Sequence, residues 1–295
     1  MSITRRLFAG GLATAAFAPR AGAGATDDRA LFWSAEPSGQ PRSILFGYER
    51  VAAARTADIV RDGERLADDQ ARLIGAMPNV SFPKVEMPRK DTTPLVERLS
   101  KPAAERVRAL LARDPRWKPM TDRLSGIEFV AFILFEGQTQ ATASVGGTIA
   151  AHELGKGKPI SYLLSQTDLQ DMLGKPNLAA VDKRIDEKTV TWLLDLHDAV
   201  GAIGRLYETL YSERRSADIR KLGADMRAHG VPSFSEMGGL QADKVETTLA
   251  ARTVEALKKP EGARSFMLLP LGTLCDDKGV LAQLRADGMK VTAIA

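Results

Sequence analysis

The sequence predicts an α/β fold: a central mixed β-sheet built from an N-terminal hairpin and a C-terminal βαβ unit, with a largely helical insertion between them. Three observations carry this. Residues 30–36 (Ala-Leu-Phe-Trp-Ser-Ala-Glu) and 42–47 (Arg-Ser-Ile-Leu-Phe-Gly) are strand-like runs around Pro37-Ser-Gly-Gln-Pro, which is turn chemistry. Residues 265–271 are a nearly continuous apolar run, followed by a helical spacing of Val280, Leu281 and Leu284 and a second strand-like run from Val291. The long middle carries apolar residues at helical spacing.

Taken in order, residues 1–25 read as a twin-arginine-type signal peptide. Arg5-Arg6 precedes a short apolar stretch, and Ala21-Gly22-Ala23 or Ala23-Gly24-Ala25 fits a small-x-small cleavage site. The expected location is therefore bacterial, periplasmic or secreted, and the stretch is too short for a permanent anchor. Residues 26–295 read as one domain. Residues 52–77 are a helix, or a helix followed by a strand entering Pro78. Residues 79–87 alternate as an extended segment, and residues 92–112 are an amphipathic helix. Residues 127–135 form the most apolar run of the mature chain, a buried helix rather than a membrane span, against which the small residues of 141–154 are expected to pack. After Gly157-Lys-Pro comes an apolar stretch, then a short helix (167–173) capped by Thr167 with Asp168 in its first turn. Residues 186–215 form one long helix, 216–229 another, 233–239 a loop and 242–258 a last helix. Gly272 and Thr273 make a tight turn after the strand at 265–271, and Gly288 ends the helix that follows.

Composition narrows the class. The chain has 295 residues and a formal charge of +4. Three arginines and no acid fall in the signal segment, so 38 basic against 37 acidic residues remain, a net charge of +1. With no basic stripe interleaved with aromatics, nucleic acid is not an expected partner. The lone Cys275 excludes an internal disulfide, and two neighbouring aspartates disfavour its thiolate. There is no Gly-x-Ser-x-Gly elbow, Walker loop or strand-linked Gly-x-Gly-x-x-Gly. His152-Glu153 lacks the second histidine of a zinc-protease helix. His197 reads as a helix-surface or satisfied buried side chain, and His229 as a helix C-terminal cap.

The C-terminal unit resembles that of the TraB/PrgY/GumN family, related to Tiki-type metalloproteases and to ChaN-like and erythromycin-esterase-like proteins. That family closes with Gly-x-Gly-His-Leu, a short loop, then Gly-Val-Leu-x-x-Leu-Arg-x-x-Gly-Tyr-x-Val. Gly272, Leu274, Gly279, Val280, Leu281, Leu284, Arg285, Gly288 and Val291 stand at the framework positions here. Phe32-Trp33 and Leu45-Phe46-Gly47 are similar to its opening hairpin, and Gly157-Lys-Pro to its internal strand. The resemblance implies a divalent-metal site made by two Gly-x-x-His motifs and a glutamate, with peptidase activity in some relatives. In this chain Arg50, Thr273 and Leu164 stand at those three places. Arginine stays protonated and repels a cation, threonine is a weak ligand and leucine is none, so no metal or other cofactor is expected there. The family's Arg-Asn pair falls on Glu246 and Thr247.

Chemistry is expected where strand ends meet. Glu49, Arg50, Asp276 and Asp277 are the catalytic candidates, and Tyr48, Arg50 and Thr273 the ligand-binding ones. Arg50 either pairs with Asp276 or Asp277 in the space a metal would fill, or binds a small anion or peptide terminus, or is simply solvated. Tyr48 is a hydroxyl donor or a packed aromatic. The leading expectation is a non-catalytic binding or regulatory protein whose partner is a periplasmic protein, a peptide or a small anion. The alternative is a divergent peptidase- or esterase-like hydrolase with a re-made strand-end site.

Overall fold

The computed structural model describes residues 27–78, 93–138, 143–173, 178–233, 236, 241–259 and 264–294. The predicted signal segment, residues 79–87 predicted to be extended, and most of residues 233–239 predicted to be a loop lie outside the described residues. The fold is α/β, around a six-stranded mixed sheet of order β4-β3-β5-β2-β1-β6. The strands are β1 (Phe32–Glu36), β2 (Ser43–Tyr48), β3 (Arg72–Gly75), β4 (Ile160–Tyr162), β5 (Ser265–Pro270) and β6 (Lys290–Ile294).

The β1–β2 pair is the antiparallel hairpin predicted from Pro37-Ser-Gly-Gln-Pro, with Trp33 opposite Leu45. Strand β5 lies parallel to both β2 and β3, which places it in the middle of the sheet and explains its unbroken apolar run. The C-terminal βαβ unit is a long crossover. Strand β6 does not pair with β5; it passes beyond β2 and β1 to join β1 antiparallel at the far edge. The helical insertion returns two strands to the sheet, β3 and the short, exposed edge strand β4. Four adjacent strands, β4, β3, β5 and β2, therefore run the same way and present their carboxyl ends along one edge.

The central strands are buried on both faces. On one face Phe32 stacks on Phe46 with centroids 4.6 Å apart, and Phe46 tilts against Phe266 at 6.1 Å. That face is covered by α1 (Ala57–Asp68) and, after α2 (Lys101–Leu111) and α3 (Gly126–Phe135), by α4 (Val145–Gly155). A Cβ on Gly63 of α1 would meet Ile149 of α4 and Phe32 of β1, and one on Gly146 of α4 would meet Tyr48 and Leu268. The small residues of α4 thus bring it against α1 and the sheet, rather than against α3 as predicted. Helix α3 is buried as expected and opens with a capping box of Ser125 and Glu128.

Helix α5 (Gln166–Met172) starts one residue earlier than predicted. Its cap is Ser165, and Asp168 closes a capping box with it instead of merely lying in the first turn. Helix α6 (Leu178–Arg184) follows. The long helix predicted over 186–215 is two, α7 (Glu187–Val200) and α8 (Ile203–Ser212), broken at Gly201. Gly201 takes a positive φ of 77°, which glycine adopts readily and which ends α7. Gly204 lies against the end of α3, where a Cβ would stand 2.7 Å from the carbonyl oxygens of Leu134 and Glu136. Helices α9 (Ser216–Ala228) and α10 (Ala242–Lys258) match their expected spans. The turn after β5 is a single helical turn, α11 (Leu271–Cys275), and α12 (Val280–Ala286) buries Val280, Leu281 and Leu284 as its spacing predicts. No described helix is long and apolar enough to cross a membrane.

Candidate functional site at the strand ends

Strands β2 and β5 run in register to their tips, with Tyr48 opposite Pro270. The approach is close: a Cβ on Gly47 would stand 2.5 Å from Leu271 Cδ1, so glycine there lets α11 fold down onto β2. Residues from opposite ends of the chain consequently share one cavity of about 420 Å³, lined by Glu49, Tyr207, Arg220, Arg227, Glu246, Gly272, Asp276 and Asp277 among others. A second cavity of about 680 Å³ shares Arg227, Glu246 and Asp276 with it, so the cleft continues along α9 and α10 as a polar groove.

Of the predicted residues, Glu49, Asp276 and Asp277 come together here. The other three do not. Arg50 is exposed and lines a different cavity, and among the described residues no ion pair joins it to Asp276 or Asp277. Arg50 lies two residues past the end of β2, where the chain bends. Thr273 is buried (4% exposed) in α11 and lines none of the cavities described here. Tyr48 is a packed aromatic against α4, and its phenol is pushed up to about 12 by burial first and by Glu49 second.

Glu49 is the chemically distinctive group. It is half-buried, and its carboxyl is pushed up to about 7, chiefly because burial disfavours the charged form. The hydroxyl of Tyr207 donates to it and acts in the opposite direction, as does the nearby Arg50 charge. One turn further along α8, the buried Tyr211 donates to the Gly47 carbonyl at 3.1 Å and pins the strand tip. Across the cleft Glu246 is also raised, by burial first and by Asp276 second. Asp276 Oδ1 accepts from the Asp277 backbone N–H at 2.6 Å. Arg220 is partly committed, donating to the Cys275 carbonyl at 2.8 Å with Asp28 at 3.7 Å.

Cys275 is buried, and its thiol is pushed up to about 12, mainly by burial, with Asp27 and Glu49 adding to the rise. The sequence argument rested on neighbouring negative charge; burial is the larger cause. The histidines have structural partners. His197 lies 2.7 Å from Glu136 Oε2. His229 donates from Nδ1 to the Asp225 carbonyl and stacks on Trp192, as a C-terminal cap should. His152 lies 3.1 Å from Glu153 and 3.8 Å from Glu64.

Leu164, where the resemblance places a carboxylate, is fully buried, and neither it, Arg50 nor Thr273 presents a metal donor set. Among the described residues no three His, Cys, Asp or Glu side chains converge as metal ligands do. Sequence reasoning missed Tyr207, Arg220, Arg227 and the site role of Glu246. A signal existed in Arg220 and Arg227, two helical turns apart on one predicted helix. Comparison with protein-family models, with curated proteins and with solved structures finds no match for this chain.

Proposed function

We propose that this chain is a diverged, exported relative of the TraB/PrgY/GumN family, in which the sheet edge that carries a metal in those proteins has become a binding cleft, and that it acts as a binding or regulatory protein in the periplasm. The observation that carries the reading is the shared cavity of Glu49 with Asp276 and Asp277, residues from opposite ends of the chain. Their placement supports the kinship because it reproduces the meeting of two strand ends that the resemblance implies. The cleft sets Arg220 and Arg227 among four carboxyl groups, which suits a ligand carrying both charges, such as a peptide.

The test is metal content together with binding. Protein purified from its native compartment should carry no stoichiometric metal and should bind members of a mixed peptide library. Glu49→Gln or Asp276→Asn should weaken that binding by roughly tenfold or more. One tightly held zinc or manganese ion per chain, lost on Asp276→Ala, would overturn the proposal.

A second reading rests on Glu49 itself. A carboxyl that titrates near neutrality, touching a tyrosine in a cleft, is equipped for general acid–base work. On that reading the protein is a peptidase- or esterase-like hydrolase using Glu49 with Asp276 or Asp277, and without Arg50. Equal background turnover by wild type and Glu49→Gln on a peptidase and esterase panel would sink it.

A further inference from the structure

Arg50 leaves the strand-end cleft for a separate cavity of about 640 Å³ between α3, the segment after β2 and the start of α4. We propose that this cavity binds a small carboxylic acid with an apolar, ring-bearing body, its carboxylate held by Arg50 and its body lying against Trp117, Phe132 and Phe135. The inference is independent of the strand-end cleft.

The walls supply the apolar part. Trp117 meets Phe132 edge to face with centroids 5.4 Å apart; Phe132 is buried and Trp117 half-buried, so the ring surface this pair can offer is chiefly that of Trp117. Phe135 is 44% exposed at the mouth although it ends one of the most apolar helices of the chain. A ligand ring seated there would cover part of this exposed apolar area. The volume is that of an ordinary small-molecule site.

The polar lining selects the charge. Arg116 is held by Asp114, with Nη2 2.6 Å from Oδ2. Glu136 is engaged by His197 at 2.7 Å. Gln138 donates to the Leu134 carbonyl, and Ser144 Oγ accepts from the Gly147 N–H as a helix cap. Each of these groups has an internal partner. Arg50 is exposed and, among the described residues, has neither a hydrogen bond nor an ion pair. The cavity therefore offers, beside an aromatic wall, a guanidinium whose hydrogen-bond donors have no partner among the described residues. Its planar fork matches a carboxylate in two parallel hydrogen bonds, which a neutral amide cannot reproduce.

The experiment is calorimetric titration of the full chain with N-acetyl-L-phenylalanine and indole-3-acetate, and with the corresponding neutral amides. At least one acid is expected to bind, with its amide weaker by roughly tenfold. Arg50→Gln should erase that preference, lowering the affinity for the acid to that for the amide. Arg50→Lys should restore part of it. Phe135→Ser should weaken acid and amide alike, which separates the apolar wall from the charge. Binding of the acetylated amino acid alone assigns a peptide carboxyl terminus as the occupant; binding of indole-3-acetate as well assigns a free aromatic acid. Because Arg50 is exposed, its substitution should leave the melting temperature unchanged. No binding of either acid, equal affinity for acid and amide, or an acid preference that survives Arg50→Gln would each overturn the proposal.

Discussion

Glu49 follows β2 and Asp168 follows β4, and since both strands point the same way, both carboxylates lie along one edge of the sheet. Asp168 is fully committed: Arg252 grips both its oxygens at 2.7 Å, and it closes the Ser165 capping box. Those hydrogen bonds, from Arg252 first, hold its carboxyl well below the usual carboxylate range. Glu49 has a tyrosine for a direct partner and lies half-buried, so its carboxyl rises instead. Position at a strand end therefore does not make a residue functional. What separates the two is whether the fold spends the charge on its own architecture, as at Asp168, or leaves it facing a cavity, as at Glu49.

The largest expected effect tests the frame that holds both. Phe46→Ala removes a ring that stacks on Phe32 and leans on Phe266, and should destabilise the fold by about 3–5 kcal/mol, read as a fall in the denaturation midpoint. A loss below 1 kcal/mol would mean that the aromatic stack does not anchor the strand tips.

The next prediction sharpens the contrast through pH. The Glu49 carboxyl titrates near 4.5 when unfolded and near 7 when folded, so the folded state holds the extra proton between those values. Stability should then fall as pH rises from about 4.5 to 7, by on the order of 2 kcal/mol, and level off above. Glu49→Gln, which stays neutral, should lack that slope. Asp168 has the opposite sign: its stabilisation is present above the ordinary carboxylate range and is lost as pH falls below it. Asp168→Asn should thus differ from wild type at neutral pH and converge with it in acid. Parallel pH profiles for the two variants would break the comparison.

A smaller effect is expected at the cap. Ser165→Ala should cost about 1 kcal/mol and leave the Glu49 slope in place, because the Ser165 cap makes no described hydrogen bond to Glu49. The smallest is an absence of reaction. The Cys275 thiol, buried and raised to about 12, should resist a thiol-selective disulfide reagent at pH 8 in the native protein and react once it is unfolded. Rapid native labelling would show that the floor beneath Asp276 is open.

Much of the sheet was legible because a buried strand announces itself locally. The runs around Phe32, Phe46 and Met267 are apolar enough to require burial wherever they pair. Strand β4 is the opposite case. Its three residues are partly exposed, so no apolar run betrays it, and only the resemblance around Gly157-Lys-Pro pointed there. The division of residues 186–215 at Gly201 was hidden because the pattern of buried residues continues across it. A single glycine inside such a pattern does not declare that it will take the positive φ of 77° seen at Gly201. The candidate site was half legible: acids near strand ends are visible in a sequence, but the direction each side chain takes is not.

By itself, the sequence determined the fold class, the hairpin, the central strand β5 and the helices with strong apolar spacing, because hydrophobic periodicity and turn chemistry act over a few residues. Only the tertiary structure decided that β6 crosses to the far edge, that Tyr207 meets Glu49, and that the neighbours Glu49 and Arg50 face different cavities. Those outcomes depend on contacts between segments far apart in the sequence and, for Arg50, on where the chain bends after β2.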